Sequence, residues 1–262
     1  MQTIDTQLQL VKGRLSQACA NAGRTVDEVT LLAVSKLQSA DAVRKAFAAG
    51  QRAFGENYVQ EALDKMAALR DLRGQTEWHL IGPLQSNKTR AVAEAFDWVH
   101  SIERLKTAQR LAEQRPAWLP PLNICLQVNV SGEASKAGVA PADVLALAAA
   151  VRALDPARIR LRGLMSIPEP LEGFEAQLRP HRWLKTLQEQ LRAQGFALDT
   201  LSMGMSADME AAVAEGSTLV RIGTAIFGLR PQKAPASTSP ACGWGPVTAI
   251  SSGTSPDNAG HS

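Results

Sequence analysis

Lysine and arginine never gather into a block in this chain. The 28 basic and 25 acidic residues are spread along 262 positions and leave a net charge of only +3. There is no polyanion-binding stripe, so nucleic acid is not implied. Cysteine is scarce: Cys19, Cys125 and Cys242 stand far apart, without the paired spacing of a zinc site. They read as free thiols of a reducing compartment. Long hydrophobic runs are missing too, and the longest, residues 144 to 151, is far too short to span a bilayer. Residues 1 to 15 carry Asp5 and several glutamines but no apolar h-region, so no signal peptide is read there. No Ser-His-Asp arrangement and no metal-ligand spacing stands out. The expectation is a cytoplasmic protein that does not engage membranes.

What is present is core. Hydrophobic residues make up 45% and charged residues 20%, enough to bury one sizeable interior. Short apolar runs alternate with helical periodicity from residue 3 onward. The spacing predicts strands over 29–35, 52–54, 77–81, 97–101, 123–130, 160–165, 198–202 and 218–222, nearly all separated by helices. Strict alternation argues for a parallel sheet. Eight units within about 230 residues fit a closed (β/α)8 TIM barrel as a single domain, with an open doubly wound sheet as the structural alternative. From Pro231 the composition shifts to Pro, Ala, Ser, Thr and Gly. Residues 1–230 therefore read as the barrel and 231–262 as a disordered tail.

In a barrel, the loops after the strands share one face and build the site. Lys36 closes the first strand, where lost hydration favours a neutral, nucleophilic amine; its plain alternative is a lysine snorkelling into water. Asn57 follows strand two, and His79 lies within strand three, where a satisfied core histidine is the plain alternative. Met165 and Ser166 end strand six. Ser206 after strand seven and Gly223-Thr224 after strand eight suggest a phosphate cradle, although Ser206 could be a helix N-cap and Gly223 a simple turn. Arg221 alternates with Val220 and Ile222, which leaves its direction open. Glu56 and Glu61 suit helix surfaces, and Met203 and Met205 suit packing.

Together, Val34-Ser35-Lys36, Phe54-Gly55-Glu56-Asn57-Tyr58, Trp78-His79-Leu80-Ile81-Gly82, Leu84-Gln85-Ser86-Asn87-Lys88, Gly163-Leu164-Met165, Leu201-Ser202-Met203-Gly204-Met205-Ser206 and Val220-Arg221-Ile222-Gly223-Thr224 resemble the pyridoxal phosphate homeostasis protein family. Its members look like the alanine racemase N-terminal barrel standing alone, and the match runs from about residue 3 to 230. Two departures are small: Leu37 stands where threonine is common, and Pro83 where some members have histidine.

The resemblance implies that Lys36 holds pyridoxal 5′-phosphate (PLP) as a Schiff base and that Ser206, Gly223 and Thr224 hold its phosphate. It implies that Arg221 faces the pyridine nitrogen, where it cannot readily supply a proton, and that Asn57, His79 and Met165 line the pocket. A monomeric PLP carrier that serves vitamin B6 homeostasis, with PLP-dependent apo-enzymes as recipients and no turnover of its own, is the function implied. The competing reading is an amino acid racemase, whose second base would have to be Tyr58, the chain's single tyrosine. A phosphosugar isomerase on the same fold is a third reading. If the tail is dispensable, deleting residues 232–262 leaves melting temperature and cofactor content unchanged; a lost cofactor contradicts that expectation.

Overall fold

The computed structural model describes residues 3–131 and 137–228. Eight strands alternate with helices in chain order: α1 (Ile4–Asn21), β1 (Thr30–Val34), α2 (Ala40–Ala48), β2 (Ala53–Glu56), α3 (Val59–Ala68), β3 (Glu77–Leu80), α4 (Thr89–Ala95) and β4 (Trp98–Ile102). They continue as α5 (Leu105–Gln114), β5 (Leu122–Gln127), α6 (Val144–Arg152), β6 (Ile159–Met165), α7 (Phe174–Ala193), β7 (Thr200–Ser202), α8 (Met209–Ala214), β8 (Leu219–Ile222) and the four-residue α9 (Thr224–Phe227). Each strand pairs in parallel with the next, and β8 returns to pair with β1, closing the barrel. That closing ladder, Thr30 to Ala33 against Leu219 to Ile222, excludes the open sheet.

Side-chain alternation along the strands makes two layers. Leu32 and Val34 meet Ala53, Ile81 and Leu219 in a small cluster on the inner face. Ala33, Phe54, Trp78, Leu80, Val99, Val220 and Ile222 join the large cluster that also takes Leu8, Val43, Ala62 and Leu184 from the helices. Arg221, between Val220 and Ile222, therefore points inward, and it is only 4% exposed. Trp98, Cys125 and Met165 form a third buried group.

Helix starts are set locally. Thr3 Oγ1 accepts from the Thr6 N–H to cap α1, and Ser39 Oγ accepts from Ala42 to cap α2. Strand two runs further than its sequence suggests, through Glu56, which is completely buried. The expectation that Glu56 sits on a helix surface is thereby corrected: its parity turns it outward from the barrel but beneath the helical layer. Strand five is shorter, with Val128 bridging only to Val139. Cys19 and Cys125 are free and buried, and burial pushes the Cys125 thiol up to about 12. No described helix is long and apolar enough to cross a membrane, and no group of three or more potential metal ligands occurs among the described residues. The tail read at 231–262 and the third cysteine lie outside the described residues.

Gly163 shows how tightly the strands meet. It pairs with Thr200 of β7, and a Cβ at this position would overlap the Thr200 carbonyl oxygen. Gly163→Ala is expected to destabilise the fold by about 1–3 kcal/mol, the overpacking range, read as a lowered urea midpoint. An unchanged midpoint would contradict the closeness of β6 and β7.

Candidate functional site

The strand ends β8, β1, β2 and β3 converge at one mouth. Gly223 follows β8 beside Val34, whose carbonyl oxygen would lie 3.1 Å from a Cβ at that glycine. Lys36, half-buried, follows β1 after Ser35, whose N–H continues the ladder to the Gly55 carbonyl at 2.9 Å. A turn then closes from the Gln38 N–H to the Ser35 carbonyl at 3.0 Å. Within it, Leu37 is the single non-glycine residue at positive φ (62°) among the described residues, a conformation that costs an L-residue about 1–2 kcal/mol. Asn57 follows β2, and a side chain on Gly82 would overlap its backbone, so β2 and β3 also end in close contact.

Beneath the Lys36 turn lies an ionic cluster the sequence did not suggest. Lys65 Nζ donates to Glu56 Oε1 at 2.8 Å, to Glu61 Oε1 at 2.6 Å and to the Ser35 carbonyl at 2.6 Å. Ser35 Oγ also donates to Glu56 Oε1, at 2.6 Å. Burial raises the Glu56 carboxyl above its usual range, and the Lys65 ammonium opposes that shift. Glu61, expected on a helix surface, is 26% exposed and takes part in this cluster.

Inside the barrel, Arg221 is tethered by its guanidinium. Nη1 donates to the Ser202 carbonyl at 2.6 Å and to Ser202 Oγ at 2.8 Å, and Nη2 donates to the Ser166 carbonyl at 2.8 Å. Ser202 Oγ lies 2.8 Å from His100 Nδ1, and His100 Nε2 lies 3.0 Å from His79 Nδ1. His79 Nε2 faces Glu77 Oε2 at 3.7 Å, and the imidazole stacks on Trp98 with centroids 5.4 Å apart. The arginine end sets the direction of this chain, because a guanidinium only donates. Ser202 Oγ, accepting from Arg221, turns its own hydrogen to His100 Nδ1, and His100 Nε2 then donates to His79 Nδ1; His79 Nε2 has no hydrogen-bond partner among the described residues. His100 is neutral in that arrangement. His79 holds the Glu77 carboxyl below its ordinary range. Burial lowers Arg221 to about 10, which leaves it charged at neutral pH.

The other sequence-predicted residues fall at the same end of the strands or just inside. Met165 is fully buried against Trp98 and Cys125. Ser206 is half-buried in the turn after β7, and it is not the N-cap of α8. Asp208 holds that position, accepting from the Met205 N–H at 2.7 Å while His181 Nε2 lies 3.0 Å from its other oxygen. The Ser206 hydroxyl thus has no capping role to fill. Gly223 is the N-cap of α9, with Thr224 its first, exposed residue. Asn57 Oδ1 and Ser166 Oγ are buried without a hydrogen-bond partner among the described residues. Sequence reasoning placed Ser166 at the end of strand six but missed the parts played by Ser202, His100 and Lys65. His100 could have been found from its parity with Trp98 in a strand already recognised as next to that of His79.

Burial drives the His100 imidazole well below its ordinary value, with His79 and Arg221 adding to the shift. The folded protein thus refuses a proton that the unfolded chain accepts near pH 6.5, and stability is lost as pH falls below that value. Between pH 6.5 and 5.5 this histidine alone is expected to remove about 1 kcal/mol. His100→Asn should flatten that pH slope in urea titrations while lowering stability at pH 7. A variant with the wild-type slope would contradict the assignment.

Comparison with known proteins follows the same geometry. Residues 12–231 match the family described as alanine racemase, N-terminal domain. The chain is 60% identical over 237 residues to the pyridoxal phosphate homeostasis protein of Pseudomonas aeruginosa, covering 90% of this chain and 100% of that protein. It is 53% identical over 232 residues to the protein of the same name from Escherichia coli K12, with 88% and 98% covered. Among solved structures, PipY of Synechococcus elongatus with PLP bound is 40% identical with a TM-score of 0.71, over 82% of this chain and all of that one. Alanine racemase of Corynebacterium glutamicum, 18% identical with a TM-score of 0.61 over 85% of this chain and 61% of that one, shares the fold. The chain belongs to the pyridoxal phosphate homeostasis protein family, built on the barrel of the alanine racemase N-terminal domain.

Proposed function

We propose that this protein binds PLP covalently through Lys36 and maintains the cell's supply of it without turning over a substrate. The donor set at the strand ends suits that cofactor. Asn57 Oδ1, His79 Nε2 and Ser166 Oγ are among the buried polar atoms without partners in the described residues, and an unpaired buried polar group is costly unless a ligand or water satisfies it. PLP, when bound, supplies an aldehyde reactive toward amines and an electron-withdrawing pyridine ring.

The observation that carries the reading is the tethered Arg221. Its three hydrogen bonds fix the guanidinium inside the barrel. A cation at about 10 cannot readily give a proton to a pyridine nitrogen, so the ring it faces stays a weak electron sink. That disfavours chemistry that needs a protonated ring, and racemisation is then judged by its second base. Lys36 Nζ would take the aldehyde. Ser206, Thr224 and the N–H groups that open α9 at Gly223 would take the phosphate, since the first N–H groups of a helix have no partner within it. Asn57, His79 and Met165 would bound the ring, His79 acting through the chain to Arg221. The racemase alternative needs a second base, and Tyr58 is 55% exposed at the start of α3, a poor position for a proton donor shielded from water. The reading places a monomer in the cytoplasm, consistent with its buried free thiols Cys19 and Cys125, and has it pass PLP to apo-enzymes.

Titration with PLP should develop the visible absorbance band of the lysine-bound cofactor in the wild type and not in Lys36→Ala. Ser206→Ala and Thr224→Ala should each weaken binding about tenfold or more, the worth of one hydrogen bond to a charged group. Incubating the loaded protein with L-alanine should give no D-alanine. No band at saturating PLP would overturn the reading, and steady D-alanine formation would favour the racemase.

A further inference from the structure

Lys36 sits between two peptide groups, and a side chain of α3 holds each of them. On one side, the Ser35 carbonyl accepts from Lys65 Nζ at 2.6 Å. On the other, the Leu37 N–H donates to Glu61 Oε1 at 2.6 Å. The two holders are joined, because Lys65 Nζ also donates to Glu61 Oε1 at 2.6 Å. Lys65 is anchored in turn on the buried Glu56 at 2.8 Å, which also receives the Ser35 hydroxyl at 2.6 Å. Restraining the peptide plane on each side of a residue restrains its φ and ψ, and with them the direction of its Cα–Cβ bond.

The sequence builds this device in two steps. Glu61 and Lys65 are four apart on α3 and so share a face, with the glutamate toward the N-terminus as the better orientation. Glu56 has the outward parity of β2, which brings its carboxylate under that face. The ammonium then has three acceptors for three hydrogens, the satisfaction that a buried cation requires. What the device restrains is a turn that would otherwise relax, since Leu37 holds φ 62° without being glycine. Strain of this kind persists only where surrounding contacts over-determine it.

We propose that Glu61, Lys65 and Glu56 are positioning residues for Lys36, fixing both peptide groups that flank it and so aiming its amine at PLP. This rests on the functional reading above, in that PLP is what Lys36 receives. None of the three touches the cofactor in this scheme. Their effect passes through the backbone of Ser35 and Leu37.

Removing Lys65 would leave the buried Glu56 without its counter-ion, so Lys65→Met alone could simply unfold the chain. Glu61 is partly exposed and gives the cleaner test. In the cofactor-free protein, Leu37 amide exchange should speed about tenfold or more in Glu61→Ala, for the loss of one charge-assisted hydrogen bond. Glu61→Gln keeps a side-chain carbonyl acceptor and should stay within about threefold of wild type. PLP affinity at Lys36 should follow the same order, weakened about tenfold in the alanine variant and largely restored in the glutamine variant, with melting temperatures within a few degrees of each other. Unchanged Leu37 exchange in Glu61→Ala, or unchanged affinity despite faster exchange, would overturn the proposal. If wild-type protein takes no PLP onto Lys36, the functional reading fails and the aiming role falls with it. Leu37 exchange in the cofactor-free protein tells that failure apart from failure of the clamp itself.

Discussion

Closure of the barrel by β8 against β1 is the constraint on which the rest depends. The register pairs Leu32 with Arg221 and Ala33 with Ile222. That pairing settles Arg221's direction, because it shares a strand face with the interior residue Leu219. It also sets the ends of β1 and β8 side by side, so Gly223 packs on Val34 just where the chain turns into Lys36. A shift of one residue would send the arginine into the helical layer and a valine or isoleucine into the mouth. Topology and site are therefore one fact stated at two scales.

An arginine inside a barrel is costly unless its donors are satisfied. This chain satisfies Arg221 with two carbonyls and a hydroxyl from the ends of β6 and β7, then continues the hydrogen-bond line through His100 to His79. A second buried cation, Lys65, is handled differently. It sits outside the barrel wall, paired with two carboxylates. The interior cation faces the site, whereas the outer one braces the backbone that carries Lys36. Both depend on strand parity, which decides whether a polar side chain goes to the centre or beneath a helix.

Much of this was legible in the sequence. Short strands rich in Leu, Ile and Val, interrupted by helical spacing, led directly to the eight-fold parallel barrel, because a strand buried on both faces must be apolar throughout. The residues that break those runs, Lys36, His79, Arg221 and the Gly223-Thr224 pair, pointed to the candidate site, and the fold gathers them in the barrel and at its strand ends. Glu56 was misread because strand two looked finished at residue 54. A glutamate next to Gly55 and Asn57 resembles loop or helix surface until its partner Lys65 is known to lie above it. Ser206 was ambiguous with a capping serine, and the ambiguity ends only when Asp208 is seen in that position. His100 lacked a cue of its own. Its meaning comes from the neighbouring strand, and cross-strand register is what a linear reading cannot supply.

The central claim is that one lysine, placed by β1 and aimed by its neighbours, carries the cofactor. Loading the protein with PLP, reducing it with borohydride and mapping the modified peptides by mass spectrometry tests that claim most directly. The account predicts a reduced phosphopyridoxyl group on Lys36 at close to one per chain. Label spread over exposed lysines such as Lys45 and Lys106, or concentrated on Lys65, would contradict it.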